Sequence, residues 1–448
     1  MIDLQALRPQ LFQFAERVQR ETGVPGIGVG VSIAGERLEI YAGTRSAGRA
    51  LPLGADSRYH LGCATKLLLA MLVLELANGG VLELGASVAE YVPELRRTHH
   101  GRHVRIAHLL SHTSGYRGTH ILDEATRVDD WDGFVRYLEN APTLFAPGTV
   151  FSYEHTESVL LGEVVRRVTG QPSLDLLVSR LLLPLEIEPG IFGGAADERD
   201  AGRHGFDGAS RSFVPLDTAP TIAPFWLPAF SAFTVTLGDL LAIAESALGV
   251  QRRDARLLSD RTLGALATSV VRLPPCVGGP LSELLPVAFG LGTAELRDKC
   301  RGNTGISAGQ CLGLRFDAET GIAMAVALNA TAPHVRDFVL STIASELVRR
   351  VPRQASAPFE LDLARLQGTY LGPGGGVVRA HCEDEHLVLT IGREHRRETL
   401  TAELSLDAAG RLALRSPVPQ LSVGFFAAPE DDGMALMLGL SAYRRVAV

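Results

Sequence analysis

Disulfides are the first thing this sequence cannot be built on: its 448 residues hold only five cysteines, at positions 63, 276, 300, 311 and 382. The count is odd and no pair falls at a metal-type spacing, so reduced thiols are expected in place of a stapled scaffold or a zinc cage. Positive charge is not in excess either. Lys and Arg total 43 against 50 Asp and Glu, a net charge of −7, which argues against the concentrated basic surface that nucleic-acid binding needs. The most apolar run, Leu67–Leu74, falls far short of the ~20 residues of a bilayer span. The start of the chain lacks the basic and then continuously apolar pattern of an export signal, and Leu7, Leu11, Phe14 and Val18 recur instead at helical spacing. A cytoplasmic protein with no membrane span is the expectation. Internal repeats and low-complexity tracts are missing as well.

What is present is the composition of a soluble globular chain, 46% hydrophobic and 21% charged, too long for one ordinary domain. Behind the first helix, Gly26–Ile33 and Arg37–Ala42 are β-prone runs joined by Ala34-Gly35-Glu36, which predicts a hairpin. The next strand-like stretches come only at Phe289–Thr293, Cys311–Phe316 and Gly321–Asn329, so an antiparallel sheet closed by distant parts of the chain is expected. Between lies a mostly helical insertion, approximately residues 65–285. Its clearest helices are Thr65–Asn78, Ser158–Thr169 and Leu237–Leu248, each followed by the glycine that commonly ends a helix. Asp337–Val351 reads as a last helix and Pro352–Pro358 as a linker. Domains at 1–352 and 358–448 follow, the second built from short alternating segments that suggest a small β-barrel or sandwich.

The chemistry gathers around Cys63 and Lys66. Three residues apart at the opening of a helix, their side chains project from one face, and the helix dipole and a protonated amine both favour a thiolate. Four more motifs follow in order: His108-Leu-Leu-Ser-His-Thr-Ser-Gly115, Pro147-Gly-Thr-Val-Phe-Ser-Tyr-Glu-His155, Ser231-Ala-Phe-Thr-Val-Thr-Leu-Gly-Asp239 and Asn303-Thr-Gly305. Together with Gly62-Cys63-Ala64-Thr65-Lys66 they resemble the serine β-lactamase and penicillin-binding-protein superfamily, specifically the class C-like group of D-amino-peptidases, esterases, transacylases and penicillin-binding-protein-type thioesterases. The likeness runs over roughly residues 20–350. It implies an α+β fold, an α/β sandwich of β-lactamase type, with an antiparallel sheet flanked by helices, an all-helical insertion and a lipocalin-like C-terminal barrel.

The resemblance also implies roles. Cys63 stands where the family has its acylated serine, Lys66 where it has its lysine, and Tyr153 where the tyrosine of Y-x-N shuttles a proton. Asn303, Thr304 and Gly305 match the strand motif on the other wall, and the N–H groups of Cys63 and Ser307 would form an oxyanion hole, worth about 3 kcal/mol per donor. Three positions depart from the pattern: cysteine for serine at 63, His155 for the asparagine of Y-x-N, and Asn303 for a basic residue. A thiol needs only a modest shift from about 8.5 to become a nucleophile, and its acyl product is a thioester. Lys66 serves it either as neutral base or as the cation of a thiolate pair. Losing the cation at 303 weakens the usual clamp for a substrate carboxylate, and His155 is open between a packed side chain and an added acid/base.

The expected function is therefore acyl transfer through acyl-Cys63, by a transacylase or a peptide cyclase/thioesterase of natural-product biosynthesis. Its partner is a small-molecule or peptidyl acyl substrate, carrier-protein-borne donors included, and neither cofactor nor metal is expected. An esterase or amidase with water as acceptor, and a non-catalytic relative whose cleft only binds, are the alternatives. Other tempting residues have plainer readings. His99, His100 and His103 suggest an exposed polar loop, and for His112 and Ser114 the resemblance implies a structural turn below the active site. Cys311 reads as core or site wall, close enough to Cys63 to permit a disulfide under oxidation. Phe225–Phe230 reads as core packing or an acyl-binding wall, and Gly372–Gly376 as a hairpin loop.

Overall fold

The computed structural model describes residues 3–446 apart from 48–50, 99, 118–129, 192–197, 217–223, 231–232, 251–255, 275–276, 279–285, 349–362, 373–375, 384–385, 394–398, 407–411, 416–421, 428–433 and 439–440. The linker expected at 352–358, Cys276 and the middle of Gly372–Gly376 fall outside the described residues. The chain forms two compact units, each discontinuous in sequence: residues 1–81, 171–268 and 292–351 make the first, and 82–170, 269–291 and 352–448 the second.

In the first unit, helix α1 (Arg8–Thr22) ends on Gly23 in the left-handed conformation, and strands β1 (Gly26–Ile33) and β2 (Glu36–Gly43) form the expected hairpin. Two-residue strands β3 (Tyr59–His60) and β4 (Gly190–Ile191) flank β5 (Phe233–Val235) in a small sheet. Helix α2 (Thr65–Asn78) and helix α3 (Leu237–Ala247) stand near their expected bounds. Strands β6 (Ala294–Glu295), β7 (Arg301–Ser307), β8 (Gln310–Asp317) and β9 (Ile322–Leu328) precede helix α4 (Pro333–Leu347). Antiparallel pairing gives the order β2-β1-β9-β8-β7-β6.

Alternation along β1 explains its two faces. Ile27, Val29 and Val31 enter one core with Val18 of α1 and Val339, Leu340 and Ile343 of α4. On the other face Gly28 and Gly30 leave room for α3, since a Cβ would meet Leu237 at 3.2 Å and Leu241 at 2.9 Å. The spacing of GIGVGV is thus a packing requirement. Helix α2 is buried on all sides from Thr65 to Leu74, so it is a core helix with no solvent face.

The second unit carries helix Thr156–Thr169, capped by left-handed Gly170, and a sheet built from the C-terminal strands. Those strands pair antiparallel from Leu412–Arg415 through Leu400–Leu406, His386–Arg393, Gly376–Glu383, Gly368–Leu371, Ser441–Val446 and Met434–Leu438 to Ser422–Ala427, with Val277–Gly278 added at the end. Leu366, Tyr370, Val378, Leu389, Leu404 and Leu436 fill its core. The insertion is less purely helical than the family likeness implied. Besides β4 and β5 it contains the hairpin His204–Asp207/Ser212–Pro215 and the strand Ser269–Arg272, which pairs with Ala288–Gly290 just beyond it, segments too short for periodicity to reveal.

Candidate functional site

Cys63 sits in a short 3-10 turn, Gly62–Ala64, that runs straight into α2, and its side chain is only partly buried. The turn is held from both sides. The Leu61 N–H donates to the Phe233 carbonyl (3.0 Å), and the His60 N–H donates to Gln310 Oε1 (2.7 Å), whose amide in turn reaches the Gly202 carbonyl (2.8 Å). Gly62 has φ +55°, a left-handed conformation that most residues resist. Lys66, 5% exposed, donates from Nζ to the Ala229 carbonyl at 2.7 Å. Ala229 lies in the helical turn Leu227–Phe230, so the aromatic stretch is tied to the site by its backbone, with Trp226 fully buried.

Strand β7 lies against the same turn. A side chain at Gly305 would be driven into the Leu61 carbonyl, and a Cβ on Gly62 would lie 3.1 Å from the Ile306 oxygen and 3.4 Å from its nitrogen. Glycine at both places is what lets the Cys63 turn and the strand backbone touch. The Asn303 side chain is spent internally, accepting from the Thr304 N–H (2.7 Å) and donating to the Gly292 carbonyl (3.3 Å). It presents no charge.

That bond to Asn303 also fixes the phase of the strand. The Thr304 N–H turns away from β8, and because N–H directions alternate along a strand, the Ile306 N–H turns the same way, while that of Ser307 faces its partner Gln310 across the hairpin. The sequence nominated Ser307 as the second oxyanion donor. The geometry corrects this to Ile306, whose backbone meets Gly62. The Thr304 side chain lies on the α4 face, near the space a Gly313 side chain would take beside Arg336. There Arg336, itself buried and paired with Asp337 at 2.8 Å, reaches the carbonyls of Gly305 (3.5 Å) and Leu312 (3.3 Å). Sequence reading missed it, because a lone arginine on a late helix carries no motif.

Tyr153 and His155 belong to the second unit and are described within it. Tyr153 is half-buried, its ring 4.7 Å from that of His112 and 5.7 Å from that of His155. His155 is the residue before helix Thr156–Thr169, and its N–H donates to Glu154 Oε2 (3.1 Å). Ser114 donates to the buried Glu157 (2.6 Å), which supports the structural reading of that hydroxyl. Burial, then the charge of Glu157, push the Glu154 carboxyl well above its ordinary value.

Two expectations need correction. His100 is buried, with Nε2 3.0 Å from the Phe145 carbonyl, so that part of the histidine run is not an exposed loop. Cys311 is sealed in the core between the sheet and helices α1 and α4, where burial pushes its thiol up to about 11. It stands opposite Ile306 on β8, in the core and not on the site wall, and a sealed thiol raised in this way is a poor partner for a disulfide with Cys63. Among the described residues no group of His, Cys, Asp and Glu could hold a metal ion, and no helix is long and apolar enough to cross a membrane.

Comparison with known proteins gives this geometry a context. The profile of the family described as Beta-lactamase matches residues 11–348. Penicillin-binding protein 4 of Amycolatopsis lactamdurans is 30% identical over 385 residues, covering 80% of this chain and 96% of that one. Esterase EstB of Burkholderia gladioli is 35% identical over 223 residues, 45% of this chain and 55% of that protein. Among solved structures, SurE superposes with a TM-score of 0.76 at 25% identity over 99% of both chains. A class C beta-lactamase in complex with cefoxitin, 18% identical with a TM-score of 0.63, covers 77% of this chain and 100% of its own and speaks for the fold alone.

Proposed function

This chain belongs to the beta-lactamase family, and from that premise we propose that it is an acyl-transfer enzyme whose nucleophile is Cys63, working through an acyl-Cys63 thioester. The observation that carries the reading is the seating of the Leu61–Cys63 turn on the Gly305–Ile306 backbone, with buried Lys66 one helical turn along. Lys66, which donates to the Ala229 carbonyl, serves the sulfur either as a neutral base or as the cation of a thiolate pair.

In the reaction, the Cys63 sulfur adds to the acyl carbon of a thioester, ester or activated amide, and the carbonyl oxygen becomes an oxyanion facing the N–H groups of Cys63 and Ile306. Collapse re-forms the carbonyl and breaks the bond to the leaving group, which departs with a proton delivered by Tyr153. An amine or alcohol then attacks acyl-Cys63, gives its proton back to Tyr153 and releases the thiolate. His155 supplies an additional hydrogen-bonding group. With Asn303 uncharged and internally bonded, the donor needs no carboxylate beside its scissile bond. Peptidyl or acyl thioesters on a carrier protein, handled inside the cell by a transacylase or cyclase of natural-product assembly, fit that requirement. The likeness to an esterase favours a second reading in which water is the acceptor.

Intact-protein mass spectrometry after incubation with acyl thioesters and esters tests the proposal. A stable increment on the wild type that is lost in Cys63→Ala is expected. Product analysis with and without an added amine then separates transfer from hydrolysis. No adduct across a broad donor set, on a thiol that also resists alkylation, would overturn both readings.

A further inference from the structure

His112 lies in the turn after helix Ile106–Leu110 with φ +52°, a conformation that few residues other than glycine, asparagine, aspartate and histidine tolerate. What it holds there is the segment around Tyr153. Its carbonyl accepts from the Ser152 N–H (2.8 Å), and its Nδ1 lies 3.5 Å from the Glu154 N–H, so one residue grips the backbone on both sides of Tyr153. Between those two contacts its ring packs on the phenol, centroids 4.7 Å apart and planes at 39°.

The same Nδ1 lies 3.5 Å from Glu157 Oε2. It thus stands between a donor, the Glu154 N–H, and an acceptor, the Glu157 carboxylate, at equal distance. A neutral imidazole can accept from the first and a protonated one can donate to the second. The groups that face His112 are Glu157 from helix Thr156–Thr169, Glu154 and Tyr153 from the preceding segment, and the rings of Phe151 (6.1 Å) and Phe289 (5.4 Å). His112 is 4% exposed and Glu157 1%, so water screens little of any charge that forms. Burial, then the charge of Glu157, raise the Glu154 carboxyl well above its ordinary value, and Glu157 is the carboxyl group that faces the imidazole.

We propose that His112 is the positioning residue of Tyr153, fixing the phenol through the backbone contacts on either side of it and the ring contact across its face. The proposal extends the reading of Tyr153 as proton shuttle and rests on it for its effect on turnover. Its physical content is independent of turnover.

The test uses the full chain with 13Cζ-labelled tyrosine, the Tyr153 resonance being assigned by its loss in Tyr153→Phe. In the wild type that resonance should be a single sharp line displaced by the ring current of His112. His112→Asn, which tolerates the same backbone conformation, should shift and broaden the line and lower kcat about tenfold or more with little change in KM. A Tyr153 resonance and a kcat that are both unchanged in His112→Asn overturn the proposal. If Tyr153→Phe retains full acylation and turnover, the shuttle reading fails while the spectroscopic coupling stands, so the two failures are distinguishable.

Discussion

Gly305 is the residue on which the candidate site depends most visibly. Because a β-carbon there runs into the Leu61 carbonyl, Gly305→Ala must push either β7 or the Cys63 turn aside. Misplacement by about 1 Å is enough to cost ~100-fold in rate. We expect acylation of Cys63 to slow by at least tenfold and stability to fall by about 1–3 kcal/mol, the usual range for overpacking. Timed mass spectra and a thermal melt measure the two, and an alanine variant unchanged in both would show that the contact is not rigid. The glycine itself was legible as part of Asn303-Thr-Gly305. The choice between Ser307 and Ile306 was not, because it turns on which way one amide points, and that is set by the Asn303 side chain bonding its neighbour's N–H. His112 was legible only as a turn residue, since its contacts to Tyr153, Glu154 and Glu157 come from some forty residues further along the chain.

At the scale of elements, the hairpin β1–β2 is joined to α3 by more than apolar packing. Glu245 of α3 accepts from Ser32 Oγ of β1 (2.6 Å) and from Arg37 Nε of β2 (2.7 Å), with its own side chain 3% exposed. Removing one partner of a buried pair leaves the other charge poorly compensated, typically at about 3–5 kcal/mol. Arg37 is 21% exposed and recovers some hydration, so the lower end applies to Glu245→Ala. A shift of the urea midpoint corresponding to about 3 kcal/mol is expected, with a smaller one for Glu245→Gln. Equal midpoints for wild type and alanine variant would show that the network adds nothing to α3 docking. Elements of this length were readable in advance: α2, helix Thr156–Thr169 and α3 are each followed by glycine, at 79, 170 and 249, and the two runs of the hairpin flank Ala34-Gly35-Glu36. Strands β3–β6 have two or three residues each and exist through pairing with remote partners, which no local pattern records.

On the scale of the whole molecule, the linear sequence suggested a break near residues 352–358, whereas compactness follows contacts between distant segments. The C-terminal strands and residues 82–170 are stitched together by the Ala442 N–H on Ser152 Oγ (3.1 Å), Arg117 Nε on the Gly372 carbonyl (3.2 Å) and Arg444 on the Leu144 carbonyl (3.3 Å). Polar bonds of this kind leave no trace in hydrophobic patterning. The stability of the whole chain should also carry a signature of Glu154. Its folded-state pKa is raised above the ordinary 4.5, first by burial and then by Glu157, so the folded protein holds a proton that the unfolded chain releases. The contribution is fully present below the unfolded value and is lost as pH rises through the folded one. Glu154→Gln keeps an oxygen for the His155 N–H and the Thr156 hydroxyl but cannot ionise. The melting temperature of the variant should therefore rise relative to wild type as pH increases from 4.5 to neutrality, by up to about 1.4 kcal/mol of stability for each pH unit until the folded-state pKa is passed. Melts recorded in parallel across that range check it: curves that keep a constant separation mean that Glu154 ionises alike in both states and that burial at this position is relieved by water.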